Sequence, residues 1–397
     1  MSPSKGAPDA IVESYAAVSQ PRRRKISTTR KLAYTSFCTV LVLFMLEGAV
    51  RLRAWHRFGT TGHVVDKIRM WEHNFPVPRP NASVKGSMCD IRINSLGFRG
   101  DEFLAEKPPG CIRIAAIGAS TTFCIHASSN QHTWPHRLQE MLRSEYPNQT
   151  IEVVNAAFPG YRIETSKRNL EHRVLQLQPD VVIYYEASND ITADIDKVAE
   201  AHGLVASDNK GAGFRFGFLA RHSSLVRLLN VNFSNFFQRQ TGKLSTVPAS
   251  MPQHFVEQIA AIHALCRDND SKLVLSAFVT KMRRDQPPDE QMRNAAFSLY
   301  YMRYLTIEAV MDAFDLYNAA VYDYASQNQL PFCADGDSIP GDDLHFVDSI
   351  HFSDKGAEKM AERFFKFFVQ ERLIEQVLAG RGTRPSDATA TLSPGAN

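Results

Sequence analysis

The stretch Cys111-Ile112-Arg113-Ile114-Ala115-Ala116-Ile117-Gly118-Ala119-Ser120-Thr121-Thr122-Phe123 decides the fold. Ile112 to Ile117 is an apolar run too short for a helix and reads as a buried strand. It ends on a glycine and small polar residues, so the chain turns there and exposes the Ser120 hydroxyl. The pattern recurs downstream. Ile151 to Val154 reads as a strand running into Asn155-Ala156-Ala157-Phe158-Pro159-Gly160, and Val181 to Tyr185 as a strand running toward Asn189-Asp190.

Helical spacing fills the intervals. It runs from Thr133 to Tyr146 through Trp134, Leu138, Met141 and Leu142, and from Ile163 to Leu177 before Pro179. Phe255 to Cys266 reads as a helix and Lys272 to Phe278 as a strand. Helical spacing returns from Gln291 to Ala325, Leu330 to Cys333 reads as a short last strand, and Gly356 to Leu378 as a last helix. Alternating strands and helices predict an α/β fold with a mostly parallel sheet covered on both faces. In such sheets the chemistry gathers at the carboxyl ends of the strands. Ser120, Gly160 and Asn189 each fall just after a strand, and Asp348-Ser349-Ile350-His351 falls before the last helix. The four islands therefore converge on one edge.

Taken singly, these are a turn serine, a Pro-Gly turn, a capping asparagine and a polar loop pair. Together they form a set. A serine hydroxyl is a weak nucleophile until a base removes its proton. A carboxylate three residues before an imidazole can hold Nδ1 and leave Nε2 for the serine, which makes Asp348 the orienting group and His351 the base. Asp342-x-x-His345 is a rival pair of the same spacing. His351 is preferred because Phe352-Ser353-Asp354-Lys355-Gly356 leads directly into the last helix, with Ser353 or Asp354 as its cap. An oxyanion needs fixed donors. Gly160, which lacks a Cβ, can bring its N–H close; Asn189 offers a side-chain amide, and Ser120 its own N–H.

The bulk numbers frame this. The 397 residues are 44% hydrophobic and 22% charged, with a net charge of +3. That is globular composition, with no basic stripe for nucleic acid. Residues 1–31 are poor in large apolar side chains, read as disordered, and end in a basic cluster: Arg22, Arg23, Arg24, Lys25, Arg30 and Lys31. Residues 32–50 follow with one charge, Glu47. That run nearly spans a hydrocarbon core of about 30 Å. A cleaved signal peptide would start its basic region earlier and end on an Ala-x-Ala site, so the run reads as an uncleaved transmembrane anchor. Its heavier positive flank places the N-terminus in the cytoplasm and the rest outside, in the periplasm or beyond the cell.

Residues 51–109 read as an extended approach segment, with Asn94-Ser95-Leu96-Gly97-Phe98-Arg99-Gly100 as a turn. Residues 110–378 read as the main domain, interrupted at about 191–252 by a Gly- and Phe-rich insertion that is either a lid or a helical subdomain. Residues 379–397 read as a flexible tail. Six cysteines include no C-x-x-C pair, so no zinc or thioredoxin-like site is expected. Gly211-x-Gly213 lacks the context of a phosphate loop. The expectation is no cofactor and no metal.

These blocks resemble the SGNH (GDSL-like) hydrolase superfamily, over roughly Ile112 to Phe368. The Gly-Phe-Arg-Gly turn and the single anchor also look like its membrane-tethered bacterial members. The resemblance implies a three-layer α/β/α fold with a flavodoxin-like sheet. It also implies Ser120 as nucleophile, Gly160 and Asn189 as oxyanion donors, His351 as base and Asp348 as its orienter. Two positions depart from the pattern: Ala119 where the family name has Asp, and Ala187 where Gly is usual. The implied activity is hydrolysis of an acyl ester on a glycan or lipid outside the cytoplasm. An O-acyltransferase acting on an envelope or exported polysaccharide uses the same groups, and a non-catalytic binding protein can share the fold.

Overall fold

A computed structural model describes residues 27–204, 223–226, 244–334 and 338–382, with side chains up to 380. The chain forms two units, one up to Gly48 and one from Ala49 onward. In the first, residues from Thr28 onward belong to helix α1 (Thr28–Phe58), none of whose residues is fully buried among the described residues. Its best 18-residue window has mean hydropathy 1.7 and is 0% buried, so it is long and apolar enough to cross a membrane. A signal sequence near an N-terminus has the same length and composition.

Five parallel strands make the main sheet: β5 (Ile112–Gly118), β6 (Ile151–Asn155), β7 (Val181–Tyr185), β8 (Lys272–Ser276) and β9 (Phe332–Cys333). Their spatial order is β6-β5-β7-β8-β9, and all four pairings are parallel. Counted within this sheet the order is 2-1-3-4-5, the flavodoxin-like arrangement, with its switch point between β5 and β7. Helix α4 (Trp134–Glu145) packs with β6 and with the helix Asp354–Gln370. The helices Gln253–Asp268 and Ile307–Gln327 pack on β8, and α5 (Ile163–Asn169) on β5. The α/β fold read from the sequence is thus present.

Every residue of β5 is buried, Arg113 included. A buried cation must be paired and hydrogen-bonded. Arg113 meets Glu152 on β6 at 2.7 Å and donates to the carbonyls of Leu104, Ala105 and Leu177. One side chain therefore fastens the segment before β5 to the sheet.

Several elements differ from expectation. Arg51–Pro109 is not simply extended. After α1 come α2 (Val64–Ile68) and two antiparallel pairs, β1 (Arg69–Glu72) with β2 (Phe75–Pro78) and β3 (Ser83–Lys85) with β4 (Asp90–Arg92). Ile68, Phe75, Val77, Ile91 and Ile93 build a second core with Ala119, Phe123, Phe158 and Tyr161. The helical stretch from Gln291 breaks into Pro288–Asn294, Ala296–Tyr301 and Ile307–Gln327, the last restarted by Thr306, whose hydroxyl accepts from Ala309 N–H at 3.2 Å. The start of the expected insertion is helix α6 (Ser188–Ala201). The glycines Gly211, Gly213 and Gly217 of the insertion, and its Phe214, Phe216, Phe218, Phe233, Phe236 and Phe237, lie outside the described residues.

Gly118 ends β5 at the carboxyl edge of the sheet. Its φ is +152°, and a Cβ there would run into the Tyr185 carbonyl oxygen of β7 and come within 2.6 Å of Thr122 Oγ1. Only glycine lets the two strand ends approach so closely. Gly118→Ala is expected to cost more than about 1 kcal/mol of stability. Chemical denaturation reads it as a lowered midpoint, and a midpoint equal to wild type contradicts the account.

Candidate active site

Ser120 opens α3 (Ser120–Phe123), a single turn that follows β5 and ends on Cys124 in the left-handed conformation (φ 59°, ψ 55°). Its Oγ lies 2.8 Å from His351 Nε2. On the far side of that ring, His351 Nδ1 lies 2.8 Å from Asp348 Oδ2. Asp348 Oδ1 also accepts the backbone N–H of Ile350 (3.0 Å) and of His351 (2.9 Å). Burial alone would raise the Asp348 carboxyl. The hydrogen bonds from the His351 side chain and the two N–H groups, with the imidazole charge, outweigh it and hold the group below its ordinary value. An ionised acceptor fixes the proton on Nδ1 and leaves the Nε2 lone pair toward Ser120.

The rival pair folds into the same local turn. Asp342 Oδ1 accepts His345 Nδ1 at 2.7 Å and the His345 N–H at 3.0 Å. Local spacing therefore makes an oriented imidazole twice; the sheet joins only His351 to Ser120. The helix expected from Gly356 to Leu378 is divided into Asp354–Gln370 and Leu373–Gly382. Ser353 caps the first of these by accepting from Gly356 N–H at 3.1 Å, and Asp354 takes a different task. It accepts both the N–H (2.8 Å) and the hydroxyl (2.6 Å) of Ser128, so the start of that helix is clamped to the loop after the Ser120 turn.

Gly160 and Asn189 sit on the neighbouring strand-end loops. Phe158 N–H donates to Gly118 O at 3.3 Å, which ties the Gly160 loop to the end of β5. Asn189 Nδ2 donates to Tyr161 O at 2.9 Å, so one amide hydrogen holds that loop and the second stays available. Gly160 has φ +85° and is exposed, and a Cβ on it would meet open space. Its glycine is needed for the backbone conformation rather than for clearance. The two departures from the family pattern are harmless locally. Ala119 is fully buried in the second core, and Ala187 has φ −154°, where a side chain is no burden.

The sequence reading missed three supporting residues. Arg99 is buried and donates to the carbonyls of Phe123 (2.9 Å) and Cys124 (2.8 Å) and to Asn130 Oδ1 (3.1 Å). Its guanidinium also lies 4.8 Å from the Phe123 ring centroid. Burial pushes its pKa down to about 10. Ser128, through Asp354, is the second. Glu186 is the third: its Oε1 accepts Asn189 N–H at 2.9 Å and its Oε2 the Thr121 hydroxyl at 3.3 Å. It bridges Thr121, the residue after Ser120, to the Asn189 turn. Burial raises the Glu186 carboxyl, the Asn189 N–H, the His351 charge and the Thr121 hydroxyl pull it back, and the balance is about 7. Lone polar or charged residues in loops carry no sequence signal of burial, so none of the three was legible beforehand.

The arrangement offers a hydroxyl nucleophile, a base with a fixed tautomer, and donor groups on adjacent loops. One three-residue set can bring nitrogen and oxygen ligands together, namely His126, Asp348 and His351.

A sequence model described as the GDSL-like lipase/acylhydrolase family matches residues 116–359. No curated protein matches the chain. Among solved structures it is similar to a G-D-S-L family protein from Desulfitobacterium hafniense, at 14% identity over 64% of this chain and 98% of that one, TM-score 0.39. It is similar to an acetylxylan esterase from Geobacillus stearothermophilus, at 15% identity over 66% and 96%, TM-score 0.40. A GDSL-like lipase from Bacteroides thetaiotaomicron gives 14% identity over 66% and 88%, TM-score 0.35.

The Glu186 carboxyl makes a pH prediction. Its folded pKa lies above its unfolded value, so the folded state binds the extra proton, and stability falls as pH rises between about 4.5 and about 7. Glu186→Gln removes that titration. Thermal unfolding of the variant is expected to show a flatter pH dependence than wild type across this window, and parallel curves would contradict the assignment.

Proposed function

The chain belongs to the GDSL-like lipase/acylhydrolase family, and we propose that it hydrolyses an acyl ester outside the cytoplasm through a covalent intermediate on Ser120. The observation that carries this reading is the pair of 2.8 Å contacts running from Ser120 Oγ through the His351 ring to Asp348. Hydrogen-bond reach from hydroxyl to imidazole and from imidazole to carboxylate is what a nucleophile, its base and an orienting group need, and it supports this reading.

The mechanism follows from the donors and acceptors. Ser120 Oγ attacks the ester carbonyl carbon as His351 Nε2 takes its proton. Asp348 accepts from Nδ1–H and stabilises the imidazolium without taking the proton. Negative charge then develops on the former carbonyl oxygen. The backbone N–H groups of Ser120 and Gly160 and the second amide hydrogen of Asn189 are its donors. His351 passes its proton to the leaving alkoxide, and the acyl group remains on Ser120. A water, deprotonated by the same nitrogen, then releases the acid and restores the serine.

The acyl-bearing substrate is a glycan or a lipid. The extracytoplasmic placement rests on helix α1 and its basic flank. Six Lys and Arg side chains stand just before the apolar run, whereas Arg51, Arg53 and Arg57 follow it, and the heavier positive side stays in the cytoplasm.

Ser120→Ala in the full chain is expected to lower turnover of a short-chain acyl ester by about 10⁴-fold or more, with the thermal melt unchanged. Asn189→Ala is expected to lower it by about 10²-fold. Wild-type turnover in Ser120→Ala would end the proposal.

A further inference from the structure

The proposed chemistry leaves one imidazole of the site without a task. His126 lies in the turn beyond Cys124 and is exposed to solvent. Its ring stands edge-on to His351, with centroids 5.1 Å apart and planes at 73°. Phe297 packs against His351 at 5.2 Å and 80°. Among the described residues the His126 nitrogens make no hydrogen bond. One ligating atom from each of His126, Asp348 and His351 lies within 4.8 Å of the others.

We propose that His126, His351 and Asp348 form a binding site for a divalent transition-metal ion of the zinc type, and that its occupancy switches the enzyme off. Two imidazole nitrogens and one carboxylate oxygen are a borderline donor set. It suits zinc or copper and does not suit magnesium or calcium, which take oxygen ligands. Metal–ligand bonds of about 2.0 to 2.2 Å require the ligand atoms to close to roughly 3.3 Å. The exposed ring of His126 can make that movement by rotating about its side-chain bonds. His351 is held between Phe297, Asp348 and Ser120, so the adjustment falls to His126. Water completes a tetrahedral shell.

The effect on turnover follows from the imidazole, and this part rests on the reading of His351 as the base. Asp348 lies on the Nδ1 side of the His351 ring, so the ion shared with it binds Nδ1. That forces the remaining proton onto Nε2, which then donates to Ser120 and accepts nothing, and no base is left. Metal binding itself does not depend on that reading.

The test uses the full chain in detergent, titrated with zinc chloride by calorimetry at neutral pH, beside hydrolysis of a short-chain acyl ester. One ion is expected at this site, with inhibition reversed by a chelator and not produced by magnesium. His126→Ala replaces an exposed ring, so the fold is kept, and circular dichroism checks this. The variant is expected to retain zinc-free turnover, to bind zinc at least about tenfold more weakly, and to resist inhibition. Zinc binding that His126→Ala loses, in a protein that hydrolyses no ester, would support the site while removing the proposed function. Zinc that does not bind wild type, or that binds and inhibits His126→Ala equally, overturns the proposal.

Discussion

The hydrogen bond between Ser120 Oγ and His351 Nε2 joins residues 231 positions apart, and the site depends on it. No local preference can make it. It requires β5 to lie between β6 and β7 in the sheet, so that its end stands beside theirs. It requires Gly118, whose missing Cβ lets β5 finish against the Tyr185 carbonyl. It also requires the His351 loop to be pinned. Ser128 does this by holding Asp354, so the loop that follows the nucleophile turn is bonded to the helix that follows the histidine.

Around that bond the protein spends buried polar groups on carbonyls and N–H groups that would otherwise be orphaned. Arg99 satisfies the carbonyls at the end of α3, Thr122 donates to Tyr185 O at 2.7 Å, and Asn155 donates to Thr122 O at 3.1 Å. Leaving such groups unpaired in the interior would cost about 1 to 3 kcal/mol each. The segment before the domain takes part as well. Tyr161, next to Gly160, buries its ring in the second core and donates its hydroxyl to Pro76 O at 2.5 Å. The stretch following helix α1 is therefore structural support for one wall of the site, which gives the two antiparallel pairs a reason to exist.

The sequence revealed the sheet because parallel, doubly covered strands are short continuous apolar runs, as in Val181–Tyr185, and such runs stand out between helical stretches. Ser120, His351 and Asp348 were legible because each lies at a strand end or helix start with a fixed local spacing. The spacing could not separate His351 from His345, since both Asp-x-x-His stretches fold into the same hydrogen-bonded turn. That choice belongs to the tertiary structure. Arg51–Pro109 was misread for a different reason. Its strands are three or four residues long, and their apolar side chains are buried against one another and against partners from the loops after Gly118 and around Gly160. A pattern that short has no period to detect. Arg99, Ser128 and Glu186 were invisible because burial of a polar residue is decided by what packs on it.

The central claim is that Ser120 is a nucleophile activated by His351, and covalent labelling tests it most directly. Wild-type protein treated with a fluorophosphonate is expected to gain one adduct, mapped by peptide mass spectrometry to Ser120. The His351→Ala variant is expected to label far more slowly. An unlabelled wild type, an adduct on another residue, or labelling of His351→Ala at the wild-type rate would contradict the account.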